Sequence, residues 1–68
     1  MIFLNIQKLK GLIVERETTQ ENVAHEIGID RTTFYRKMKN GSFTVKEAKM
    51  IANVLPLSKD EAIEIFFN

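Results

Sequence analysis

Gly28-Ile29-Asp30 is the stretch that most constrains how this chain can fold. Before it, Val23, Ala24 and Ile27 recur at the spacing of one helical face. Gly28 ends that helix, because glycine readily takes the left-handed conformation just past a helix. After it, Asp30 offers a side-chain oxygen to the free N–H groups of a helix starting at Arg31. A link of three residues forces the two helices to cross at a steep angle. Ala24 suits the close contact between them, while Val23, Ile27, Ile29 and Phe34 fill the wedge.

Similar punctuation recurs along the chain. Asn5 is a candidate N-cap for a first helix running to about Arg16, with Ile6, Leu9 and Ile13 on its buried face. Gly11 inside it costs about 1 kcal/mol against alanine and leaves room for another helix to approach. The second helix opens in TTQEN, where Thr18 with Glu21 has capping-box spacing and Thr19 is an equal candidate for the cap. The third runs from Arg31 to about Lys39, and Asn40-Gly41 stops it. Thr44 and Glu47 repeat the box ahead of Ala48, Ile51, Ala52 and Leu55, and Pro56 closes that fourth helix. Ser58 and Glu61 repeat it again for a last helix reaching about Phe67. No segment sustains the period-two alternation of a strand, and no repeat or linker interrupts the chain. The expected fold class is all-α, with five short helices in a single domain over residues 1–68.

Sixty-eight residues lie near the lower limit for a chain that folds on its own core. An apolar fraction of 44% with 28% charged residues is that of a soluble globule. Cysteine is absent, so neither disulfides nor thiolate metal sites support the fold, which suits a reducing cytoplasm. The opening MIFLNIQKLKGLIV is interrupted by Asn5, Gln7, Lys8 and Lys10, unlike a signal peptide or a membrane span, and no membrane partner is expected. His25 is the sole histidine, on the outer side of the second helix, and Glu15, Glu17, Glu21 and Glu26 are spread over two helices. With no cysteine to complete a ligand set, no metal site is expected. No glycine-rich phosphate loop occurs, and Ser42 and Ser58 occupy turn and cap positions rather than a nucleophile context. The expectation is a non-enzyme without catalytic residues, cofactor or small-molecule ligand.

Charge is distributed unevenly. Residues 31–49 hold six positive side chains against Glu47 alone, a local net charge of +5, while the rest holds four positive and eight negative, or −4. Such asymmetry creates a local positive field for a polyanion in a chain whose total is only +1. On a helical wheel of about 100° per residue, Phe34 and Met38 define the buried side of the third helix. Arg36 lies opposite, with Thr32 and Thr33 on either side of it, and Arg31 and Tyr35 near the edge of the buried stripe.

The run TQENVAHEIGIDRTTFYRKMKNG resembles the DNA-binding domains of the phage Cro/repressor helix-turn-helix family. All five helices fit the family's repressor-like pattern, and the ending IEIFFN is similar to small regulators from phages and mobile elements of Gram-positive bacteria. The chain departs from the pattern where an apolar residue usually falls three positions after Phe34: that position is Lys37, and Met38 is the apolar one. A slightly rotated or extended third helix is expected in consequence. The resemblance implies a regulator, most simply a repressor, whose helices two and three form a helix-turn-helix on double-stranded DNA.

Helix three would enter the major groove with its first turn and outward face. Arg31, Thr32 and Arg36, then Thr33, are the candidates for reading bases, since arginine can hold guanine bidentately and threonine can touch a thymine methyl. The resemblance implies backbone contacts from Gln20, Thr19 and Asn40. Lys37, Lys39 and Lys46 add salt-dependent attraction to phosphates, and Tyr35 can stack on a sugar or bond a phosphate. In the last helix, Ala62, Ile63, Ile65, Phe66 and Phe67 spread wider than one docking face needs. Part of this set can dock on Ile2, Phe3 and Leu4, and the rest is left for a partner, with Ile63, Ile65, Phe66 and Phe67 singled out. They are the candidate interface of a homodimer reading a palindromic operator. The alternative is that this apolar helix makes the domain a protein-interaction module that binds no operator.

Overall fold

The computed structural model describes residues 4–66, which form five helices and no strand. These are α1 (Ile6–Glu15), α2 (Gln20–Ile27), α3 (Arg31–Asn40), α4 (Val45–Val54) and α5 (Lys59–Phe66). The all-α class follows directly. The predicted extension of the last helix to Phe67 and its expected docking on Ile2 and Phe3 lie outside the described residues.

Every helix start is satisfied by a local side chain, which is why the helices begin where they do. Asn5 accepts from the Lys8 N–H at 3.1 Å and Thr19 from the Asn22 N–H at 3.0 Å. Asp30 accepts from the Thr33 N–H, and Thr33 also donates its hydroxyl to Asp30. Reciprocal capping boxes form at both expected places. Thr44 accepts from the Glu47 N–H at 3.1 Å while Glu47 accepts from the Thr44 N–H at 2.9 Å. Ser58 and Glu61 do the same at 3.1 and 2.9 Å. Between the two candidate caps of α2 it is Thr19 that serves. Thr18 instead accepts from the Asn22 side-chain amide at 2.9 Å, and the Thr18–Glu21 box is not made.

Helix ends use the left-handed conformation. Gly28 has φ +81°, with the Ile29 N–H donating to the Ala24 carbonyl at 3.0 Å, so the chain reverses within three residues and α3 crosses against α2. Gly41 ends α3 likewise at φ +64°. At the end of α1 the same position is taken by Glu17 at φ +57°, and the Thr18 N–H donates to the Ile13 carbonyl at 3.1 Å. A residue with a Cβ there is strained, and nothing in the hydrophobic pattern announces it.

α2 packs on both α3 and α4, and α1 pairs with α5. Val23, Ala24 and Ile27 of α2 meet Phe34 and Met38 of α3 and Ile51 of α4 in the core. Burial of one such aliphatic or aromatic side chain stabilises by about 1.5–3 kcal/mol. Phe43, in the turn after α3, is fully buried and its ring lies 5.3 Å from that of Phe34 at a tilt of 59°. On the other side, the Asn5 N–H donates to the Ile65 carbonyl at 2.8 Å, and Arg16 reaches Glu61 at 2.7 Å. These bonds tie both ends of α1 to α5.

Two expectations about packing change, and one core residue is added to them. Leu12 joins Leu9 and Ile13 as the buried face of α1, and Ile6 is only partly buried. Gly11 is exposed, and among the described residues no neighbouring atom lies within 4 Å of where a Cβ would stand, so no described helix approaches it. Phe43 belongs to the core although it sits in a turn, where periodicity carries no signal.

Candidate nucleic-acid interface

α3 is seated by Phe34 and Met38, both buried and one turn apart, so the rest of its circumference is available. Met38, not the residue at position 37, completes the buried stripe, as the wheel of this sequence requires. Arg31, Thr32, Tyr35, Arg36, Lys39 and Asn40 are exposed and Thr33 is half-buried. Thr33 has its hydroxyl committed to Asp30. That bond, followed by the Thr33 N–H, holds the Asp30 carboxyl below the usual range and keeps an anion at the first turn of α3.

The cations divide into two groups. Arg31 is paired with Glu21 of α2 at 2.9 Å, an exposed contact that bridges the starts of α2 and α3. Lys37 donates to both carboxylate oxygens of Glu47 at 2.9 Å, with side chains only 18% and 17% exposed. Arg36, Lys39, Lys46 and Lys49 have no carboxylate partner among the described residues and are exposed. Four positive side chains on α3 and α4 are thus left unneutralised, and Lys37 is not among them.

Glu47 is placed to hold Lys37 firmly. Burial pushes its carboxyl upward, but the Thr44 N–H and then Lys37 outweigh this and hold it below the usual carboxylate range. Its dual role as cap and ion-pair partner was not legible, since a capping-box glutamate and a partner for a helix ten residues earlier need the same residue type.

Thr19 and Gln20 stand at the N-terminus of α2, with Thr19 exposed but its hydroxyl accepting from Asn22. Asn40 is the last residue of α3 and Lys46 lies in the first turn of α4. Thus the residues singled out for nucleic acid fall on α3, at its end and at the starts of α2 and α4.

Comparison with family models, curated proteins and solved structures finds no match to this chain.

The four apolar residues expected at an interface separate. Ile65 and Phe66 are buried inside the single chain, against α1, which takes them away from any contact between copies. Ile63 is 47% exposed, and Phe67 lies outside the described residues. Val14 of α1, 73% exposed, was not singled out; it is an apolar residue in a helix whose buried face was read from its neighbours. His25 is exposed on α2, and among the described residues no three acidic or histidine side chains are placed to hold a metal ion. No described helix is long and apolar enough to cross a membrane.

Proposed function

We propose that this chain is a sequence-specific double-stranded DNA-binding regulator, a repressor of the Cro/repressor kind acting in the cytoplasm. In this reading α2 and α3 are its helix-turn-helix, and α3 enters the major groove. The observation that carries it is the outward face of α3. Two buried residues suffice to seat the helix, and its exposed side presents Arg36 and Lys39 without carboxylate partners among the described residues. Arg31, Thr32 and Arg36 read base edges, with Thr33 next, and Gln20, Thr19, Tyr35, Lys39, Asn40 and Lys46 hold the backbone.

Size favours action as a dimer. The Cα envelope measures 27 × 27 × 19 Å, shorter than the roughly 34 Å between adjacent major-groove faces. One chain covers one half-site, and a two-fold pair reads a palindrome. Ile63 is the described, exposed member of the apolar set proposed for that contact.

Selection of binding sites from random duplexes tests the proposal. It should enrich a palindrome bound at least about a thousandfold more tightly than random duplex, with affinity falling steeply as salt rises. Enrichment of no motif would overturn it.

A further inference from the structure

Phe34 and Met38 lie within about 40° of one another around α3, so they seat it along a line. A line of contact fixes the height of a helix well and its roll poorly. Lys37 stands to one side of that line, about 60° from Phe34 on the wheel. Its ammonium donates to both oxygens of Glu47 at 2.9 Å. Glu47 is itself immobilised, because its Oε1 also accepts from the Thr44 N–H at 2.9 Å in the capping box of α4. Both side chains are largely shielded from water, so the pair is weakly screened. The other lateral tie on α3, Arg31 to Glu21, is more than half exposed on both sides and correspondingly weaker.

We propose that Glu47 and Lys37 are positioning residues of the reading helix: the pair sets the roll at which α3 presents Thr32 and Arg36 to a base pair, and Lys37 holds no phosphate. The inference rests on the operator-reading function proposed above. A roll of about 20° moves an atom about 5 Å from the helix axis by about 2 Å, beyond what a bidentate hydrogen bond tolerates. Random duplex binding does not depend on that angle, because flexible lysines follow phosphates through small rotations.

The test uses Lys37→Met and Glu47→Gln in the full chain. The first keeps the stem without the charge and leaves Glu47 capping α4; the second keeps a capping oxygen. Each is measured against the duplex selected by the unaltered chain and against random duplex, over a salt series, with helix content followed by circular dichroism. Both variants should lose about tenfold on the selected duplex, the effect of one mismatched base pair. Lys37→Met should leave random-duplex affinity and its salt slope unchanged, and repeated selection with it should relax the position read by Arg36. Glu47→Gln should not weaken random duplex. If Glu47→Gln fails to fold, Lys37→Met alone decides. Equal losses on both duplexes with the salt slope lowered by about one would make Lys37 a phosphate contact and overturn the proposal. Unchanged discrimination in the folded variants would show that α3 is held without the pair, and overturn it too. An unaltered chain with no preferred duplex fails earlier, before any variant is compared, and removes the operator reading and this proposal together.

Discussion

The Lys37 ammonium sits 2.9 Å from each carboxylate oxygen of Glu47, joining α3 to the first turn of α4. Because Glu47 also completes the Thr44 box, one carboxylate serves a helix start and an inter-helix tie. Glu47→Ala removes both and leaves a shielded ammonium unpaired, a loss of about 1–3 kcal/mol. Thermal melting by circular dichroism should fall by about 4–8 °C for each kcal/mol in a domain of this size.

Arg36 and Lys39 are both exposed and both free of carboxylates among the described residues, yet their roles differ. Arg36→Ala should cost about 1–3 kcal/mol on the operator and relax discrimination at one base pair. Lys39→Ala should weaken all duplexes alike and lower the salt slope by about one. Neither should alter the melting temperature. Equal, sequence-blind losses measured for both by titration would remove Arg36 from base reading.

Phe43 is fully buried against Phe34. Phe43→Ala should cost about 3–5 kcal/mol, a large share of the roughly 3–10 kcal/mol available to a chain this short. Urea titration should show the midpoint collapsing or the chain unfolded without denaturant.

Glu17 carries φ +57° at the end of α1 and is exposed. Glu17→Gly relieves the steric cost of that conformation while adding freedom to the unfolded chain, for a net gain of about 0.5–1 kcal/mol. Gly28→Ala, at φ +81°, should act in the opposite direction. Melting curves of the two variants should move apart from that of the parent.

Asp30, Glu47 and Glu61 have carboxyls held below the usual range. Thr33 is the leading cause at Asp30; the Thr44 N–H and Lys37 overcome burial at Glu47; the Ser58 N–H, then Arg16, act at Glu61. Since the folded values are depressed, the unfolded chain takes up protons first. Their contribution is complete at neutral pH, begins to fall as pH drops through the ordinary carboxylate range near about pH 4, and is gone below the folded values. Stability measured from pH 7 down to 3 should decline chiefly in the last two units.

Sequence by itself determined the helices and the character of the surface on α3. Caps and stops act over three to five residues, so Thr44 with Glu47, Ser58 with Glu61, Gly28 and Gly41 declare their geometry locally. The outward set around Arg36 was legible for the same reason, since Phe34 and Met38 define the buried side by spacing alone. Tertiary structure alone decided which residues of like chemistry do which work. Phe43 enters the core, Ile65 and Phe66 are buried beneath α1 rather than offered to a partner, and Gly11 is exposed. Lys37 turns inward to Glu47 while Lys39 stays out, although a lysine carries the same charge at either position. The reason is range: a hydrogen-bonded turn is written in adjacent residues, but burial and charge pairing depend on what another helix brings alongside.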